Sequence, residues 1–255
     1  MIQLEKVSKQ YQLTKKQRNI MRISENNIHA VKDVTFECHP GRIFSLLGPN
    51  GAGKTTTLRM IATLLKPSGG LIKVSGLDTQ KEAHKVRSKI GFLTGSTNLY
   101  DRLNPSEIVD YFGKLHGMDP SLLKTRKALL FEQLGIDEFH YKRIGQLSTG
   151  MKQKVSIARS MIHDPEVVIF DEPTSGLDVI TAHNIISLIN QCKNEGKTVI
   201  FSSHIMSEVD LLCDDLAIIN KGELVFNSSM SAFREKAGNH SLTQTFIDII
   251  EQSNN

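Results

Sequence analysis

The sequence predicts an α/β fold with a mainly parallel core sheet, an antiparallel β part and a mostly helical insert. Three observations predict it. Short apolar runs, "RIFSLL", "EVVIF" and "KTVIFSS", are interspersed with helical stretches, the pattern of a parallel sheet buried on both faces. Two longer segments, "MIQLEKVSKQY" and "NNIHAVKDVTFECHPG", instead alternate apolar and polar residues, as half-buried antiparallel strands do. From about Pro105 to Glu138 strand signals vanish, and Ile108, Phe112, Leu115, Leu122, Leu129 and Leu134 fall at helical spacing.

Taken in order, the two alternating segments enclose "QLTKKQRNIMRISEN", which is polar and basic. It reads either as a solvated loop or hairpin extension, or as a contact with anionic lipid or a partner through Lys15, Lys16, Arg18 and Arg22. "RIFSLL" is a strand that runs into a glycine-rich turn and the helical "KTTTLRMIATLL". "GLIKVSG" and "KIGFLT" are further short strands. "LAIINKGELVFN" reads as a hairpin turning at Lys221-Gly222, and "SLTQTFIDIIEQSNN" as an amphipathic helix that frays into polar residues.

The bulk properties set outer limits. A chain of 255 residues fits one large domain or two small ones. A net charge of +4 tolerates anionic partners without demanding nucleic acid, and no nucleic-acid partner is expected. Cys38, Cys192 and Cys213 are far apart and share no metal-ligand spacing, so they read as reduced, packed thiols of a cytosolic protein. No signal peptide is recognisable, and no apolar run approaches the roughly 20 residues that span a bilayer.

The chemistry begins at "GPNGAGKT". Gly48, Pro49, Asn50, Gly51, Ala52, Gly53, Lys54 and Thr55 follow an apolar strand and open a helix that continues through Thr56, matching G-x-x-x-x-G-K-[ST] in its proper context. The glycines permit backbone conformations that side chains would block, so the amides can form a concave anion site at a helix N-terminus. Lys54 would reach the β- and γ-phosphates of ATP, and the Thr55 hydroxyl could ligate Mg²⁺. "VVIFDE" ends a buried strand with Asp171 and Glu172. Asp171 is expected near the Mg²⁺, usually through its water shell, and Glu172 is placed to polarise an attacking water. His204 ends the next apolar run, where strand C-termini face the nucleotide crevice, and is a candidate γ-phosphate contact.

The motifs "GPNGAGKT", "LSTGM", "VVIFDEP", "SGLD" and "SSH" occur in the order found in ATP-binding-cassette (ABC) ATPases, and the resemblance spans roughly residues 1–226. The stretches "GAGKTTTLRMIATLLKP" and "IARSMIHDPEVVIFDEPTSGLD" look most like the ATP-binding subunit of bacterial sodium-efflux, NatA-type, ABC exporters. The resemblance implies a P-loop NTPase fold with a nucleotide-binding core at 1–100 and 160–226. A helical subdomain at about 101–159 would carry the signature turn, and 227–255 would form a helical tail, all within one ABC ATPase domain. It implies that Tyr11 stacks on adenine, that Asp178 lies at a subunit interface, and that Ser148, Thr149 and Gly150 contact ATP held by a second copy. Two departures stand out. Thr149 and Met151 replace the third and fifth residues of the usual Leu-Ser-Gly-Gly-Gln signature, and Gly95 stands where the family usually has a glutamine, with Ser96 and Asn98 as polar neighbours that could substitute.

The implied function is the motor of a bacterial ABC exporter. Two copies would close on two ATP-Mg and drive a separately encoded membrane permease, the motor lying on the cytoplasmic face of the membrane through that permease. The segment from about Pro105 to Gly145 would supply the docking groove. Na⁺ is the cargo the resemblance suggests, although drug, lipid or peptide efflux would use a similar motor. The alternatives are a soluble ABC ATPase acting on ribosomes or DNA, and an ATP-binding switch without hydrolysis. One cassette without sustained heptads speaks against the first, and the presence of Lys54, Asp171, Glu172 and His204 against the second.

Overall fold

Strand periodicity divides the molecule into two sheets. The computed structural model describes residues 1–21, 24–94 and 99–254, apart from the side chains of residues 17 and 21. In chain order, β1 (Ile2–Gln12) and β2 (Asn27–Cys38) flank a short helix α1 (Lys15–Met21), and β3 (Ile43–Leu47) runs into α2 (Lys54–Ile61). Next come β4 (Gly69–Val74), β5 (Leu77–Asp78), α3 (Ala83–Lys89) and β6 (Ile90–Thr94). The middle is helical, with α4 (Pro105–Leu115), α5 (Pro120–Leu134) and α6 (Thr149–Met161). Alternation resumes with β7 (Val167–Asp171), α7 (Val179–Asn194), β8 (Thr198–Ser203) and α8 (Met206–Leu212). The hairpin β9 (Asp215–Asn220) and β10 (Glu223–Ser229) leads into α9 (Met230–Ala237) and α10 (Leu242–Gln252).

The alternating N-terminal segments pair antiparallel, and their sheet has the order β2-β1-β4-β5. The apolar runs form the second sheet, β10-β9-β3-β8-β7-β6, parallel throughout except for the β9–β10 edge hairpin. Continuous apolarity follows from burial on both faces. In β7, Val167 and Ile169 point toward the antiparallel sheet and α2, while Val168 and Phe170 point into the core shared with the central helices. In β8, Ile200 and Phe201 divide in the same way. Phe36 and Phe44 stack at 4.8 Å between ring centroids and tie the two sheets together. Each such fully buried ring or aliphatic side chain contributes about 1.5–3 kcal/mol relative to exposure. The β9–β10 turn falls at Lys221 (φ 49°) and Gly222 (φ 83°), the positive-φ pair that a tight hairpin needs.

Two expectations are corrected. The basic segment after β1 is not an irregular loop, because residues 15–21 form the helix α1. Arg22 lies outside the described residues. The central insert is helical, and of the residues at helical spacing Ile108 and Leu134 are buried and Phe112 is half-buried, but Leu115, Leu122 and Leu129 are exposed. The buried positions of α5 are Leu123, Leu130, Phe131 and Leu134. The chain breaks between α4 and α5, where Asp119 caps the new helix and Pro120 opens it. That break resets the helical phase, so one spacing cannot be carried across it.

Candidate functional site

Strand β3 delivers the chain to Gly48, and the turn that follows is shaped by what it must pass. A Cβ on Gly48 would collide with the Ile219 carbonyl oxygen. At Gly53 it would lie 2.6 Å from the Ala30 oxygen, and φ there is +111°, which L side chains rarely adopt. The loop therefore lies against β9 and β2. The Gly222 amide reinforces this by donating to the Ala52 oxygen, as does the Lys32 amide by donating to Gly222. Ala30, Asn50, Gly51, Ala52, Gly53, Lys54, Thr55, Thr56 and Glu172 line one cleft.

Lys54 is the first residue of α2, is only 4% exposed, and donates to the loop's own carbonyls at Gly48 (2.6 Å) and Pro49 (3.2 Å). Burial pulls its ammonium below the ordinary lysine range, and nearby Glu172 opposes that shift. Thr55 donates from Oγ1 to Asp171 Oδ1 at 3.0 Å. Asp171 ends β7 on the face that carries Ile169, which is the α2 face, so strand period two places the carboxylate beside the loop. Glu172 follows at φ 49°, a left-handed conformation that costs a non-glycine residue roughly 1–2 kcal/mol. That turn directs its carboxylate back over the loop. Oε1 lies 3.6 Å from Lys54 Nζ and 3.3 Å from His204 Nδ1.

Thus five of the residues singled out from sequence, Lys54, Thr55, Asp171, Glu172 and His204, converge at one place. Others do not reach it. Tyr11 does not line the cleft. It pairs across the sheet with Ile28, which shares a strand face with Ala30, so Tyr11 stands on the cleft's side of the antiparallel sheet. It is 40% exposed, and Lys9 Nζ sits 5.3 Å from its ring centroid. Ser148, Thr149 and Gly150 also lie outside the cleft. Ser148 caps α6 by accepting from the Met151 amide (3.3 Å), both Ser148 and Thr149 are exposed, and Met151 packs against the core. Asp178 caps α7, accepting from the Thr181 amide (2.9 Å) and hydroxyl (2.7 Å), and these bonds hold its carboxyl below the usual range. A Cβ on Gly150 would meet Thr181 Oγ1 at 3.2 Å, so the signature turn packs against the Asp178 cap of its own chain. Gly95, Ser96 and Asn98 fall outside the described residues.

Sequence reading missed two supporting groups. Ser202, fully buried, donates to Asp171 Oδ1 at 2.7 Å. Glu208 accepts from Ser203 Oγ (2.9 Å) and from Thr174 Oγ1, joining the His204 turn to the segment after Glu172. For Ser202 the only sequence signal was its place at the end of the apolar run "KTVIFSS"; its partner is set by the β7–β8 register, which pairs it with Asp171. For Glu208 there was no signal, because nothing in its spacing marks the fold-back of α8.

The chain is similar to known proteins in sequence and fold. The ABC transporter family profile matches residues 31–175. The chain is 43% identical over 221 residues to the ABC transporter ATP-binding protein NatA of Bacillus subtilis (strain 168), covering 86% of this chain and 90% of that protein. It is 35% identical over 223 residues to the linearmycin resistance ATP-binding protein LnrL of the same organism, covering 88% of this chain and 72% of that protein. Among solved structures, a dimeric post-hydrolysis state of the ATP-binding cassette MJ0796, bound to ADP and Pi, superposes with a TM-score of 0.80. It is 27% identical and covers 90% of this chain and 99% of that one. The glycine loop, the two carboxylates and the histidine over them thus sit in a chain that belongs to the ABC transporter family, as an ATP-binding and ATP-hydrolysing transporter subunit.

Proposed function

We propose that the chain is the motor of an ABC exporter, a single ABC ATPase domain that closes as a homodimer on two ATP and drives a separate membrane permease. The observation that carries this reading is the convergence of Lys54, Thr55, Asp171, Glu172 and His204 on the Gly48–Thr55 loop. Lys54 and the loop amides from Asn50 to Thr56 hold the phosphates, with Gly48 and Pro49 shaping the turn, and Tyr11 receives the adenine. Glu172 accepts the proton of the attacking water. His204 contacts the γ-phosphate and steadies Glu172.

The donor set fits Mg²⁺. Because the Thr55 hydroxyl spends its proton on Asp171, its oxygen lone pairs are available to a hard cation, and Asp171 supplies carboxylate oxygen nearby. Bound there, the ion would neutralise phosphate charge during transfer. Among the described residues, no cluster of three or more His, Cys, Asp and Glu gathers as a separate metal site.

Dimerisation draws support from the side of the molecule that bears Asp178. Ser148 and Thr149 are exposed and stand outside their own chain's cleft, free to meet ATP on a partner. Val179 and Ile180, beside Asp178, are 85% and 76% exposed, an aliphatic pair that a partner would cover.

No described helix is long and apolar enough to cross a membrane, which suits a motor whose permease is another chain. A groove between the central helices and the core supplies its seat. Phe112 and Leu115 line it with Arg87 and Arg159, and neither arginine pairs with a carboxylate among the described residues. Through the permease the motor would lie on the cytoplasmic face of the membrane. Sodium ion is the cargo suggested by resemblance to the sodium-efflux exporters, with drug, lipid or peptide efflux as the alternative.

Complementation tests the shared site. A Ser148→Arg chain and a Lys54→Ala chain, each inactive alone, are mixed with Mg-ATP. The composite site of the heterodimer restores part of the turnover if Ser148 acts on the partner's ATP. Absence of any nucleotide-dependent dimer sinks the reading.

A further inference from the structure

Strand register puts a buried hydroxyl between the two carboxylate residues of the site. Strands β7 and β8 run parallel, with Ile169 opposite Ile200 and Asp171 opposite Ser202. Period two then sends the side chains of Asp171 and Ser202 to the same face. Ser202 is 0% exposed, so its hydroxyl must find partners within the protein. It has two: Oγ lies 2.7 Å from Asp171 Oδ1 and 3.0 Å from the Glu172 amide nitrogen.

Chemistry fixes the direction of both bonds. An amide N–H only donates, so Oγ accepts from Glu172. An ionised carboxylate only accepts, so the single hydroxyl proton points to Asp171. Thr55 Oγ1 donates to the same Oδ1 at 3.0 Å. An oxygen of a carboxylate has two lone-pair sites, and both sites of Oδ1 are thereby filled. These two bonds hold the orientation of Asp171, and Oδ2 takes no hydrogen bond from a side chain of the described residues. The same hydroxyl holds the amide of Glu172, the residue whose φ of 49° turns its carboxylate toward Lys54 and His204.

We propose that Ser202 is a positioning residue of the ATPase, setting the metal-side carboxylate of Asp171 and the turn of Glu172 with one hydroxyl. This rests on the roles given above to Asp171 and Glu172. Ser202 touches no reacting atom; it acts through those two residues. Its loss leaves no orphaned group, since Asp171 Oδ1 keeps Thr55, and the Glu172 amide keeps the Ser202 carbonyl at 3.3 Å. Replacement by alanine therefore loosens geometry without unfolding the site.

The test is Ser202→Ala in the full chain, measured in four ways: kcat for Mg-ATP, the Mg²⁺ concentration for half-maximal turnover, ATP affinity in EDTA, and Tm. The expected result is a kcat lowered about 10- to 100-fold, the range for losing a hydrogen bond to a charged group. Half-maximal Mg²⁺ rises several-fold, metal-free ATP affinity stays at the wild-type value, and Tm falls by no more than a few degrees. Unchanged kcat and Mg²⁺ dependence overturn the proposal, and so does a loss of metal-free ATP binding and Tm in step with kcat, which marks a merely structural serine. Wild-type turnover that ignores Mg²⁺ overturns the reading of the site itself. Mg²⁺-dependent turnover with an unaffected variant overturns the role of Ser202 alone.

Discussion

Glu172 Oε1 lies 3.3 Å from His204 Nδ1, although the two residues come from the ends of different strands. His204 is 41% exposed at its side chain, so its hold on Glu172 does not depend on burial. Replacing His204 by alanine removes that hold and the proposed γ-phosphate contact but none of the loop amides. ATP affinity should therefore stay within about threefold, and kcat should fall on the order of 100-fold, the lower range for a lost transition-state contact. Single-turnover hydrolysis beside a nucleotide titration separates the two effects.

Lys54 is held ready inside the loop by the Gly48 and Pro49 carbonyls. Lys54→Ala takes away the buried ammonium proposed to meet the phosphates. ATP affinity should drop about 10- to 100-fold, as for loss of a desolvated charged contact. Equilibrium binding of a fluorescent ATP analogue measures this. An affinity equal to wild type would contradict the role given to Lys54.

His163 gives the molecule an acid-sensitive point away from the loop. Its ring stacks on His116 with centroids 3.7 Å apart and bonds the Ile90 carbonyl oxygen at 3.2 Å. Burial, and then the proximity of His116, push its pKa down from 6.5 to about 4. Burial lowers His116 as well. Between about 4 and 6.5 the unfolded chain binds the proton that the folded chain refuses at His163, so stability falls as pH drops through that window. The expected slope approaches 1.4 kcal/mol per pH unit for that proton. Denaturant unfolding at several pH values should show this slope in the wild type and a shallower one in His163→Gln.

Much of this was legible in the sequence because the signals were local. "GPNGAGKT" states its own geometry, "VVIFDE" carries a buried strand into its carboxylates, and Lys221-Gly222 marks a hairpin. What escaped depended on partners distant in sequence. Ser202 matters only through its register with Asp171, 31 positions away. The burial of Leu123 rather than Leu122 depends on where α5 restarts after Asp119. The helix α1 arose in a segment whose polar, basic composition gave no apolar stripe to announce it. Tyr11, Ser148 and Asp178 were named by resemblance, and within one chain they stand apart from the cleft, because their proposed partners are a bound nucleotide and a second copy.

The central claim is an ATPase that closes on ATP with Glu172 as its base, and Glu172→Gln tests it most directly. The substitution keeps size and shape but removes the proton acceptor. With Mg-ATP the account predicts wild-type nucleotide affinity, turnover lowered at least about 100-fold, and a dimer stable enough to resolve by size-exclusion chromatography with light scattering. Hydrolysis at the wild-type rate, with the chain monomeric in ATP, would contradict it.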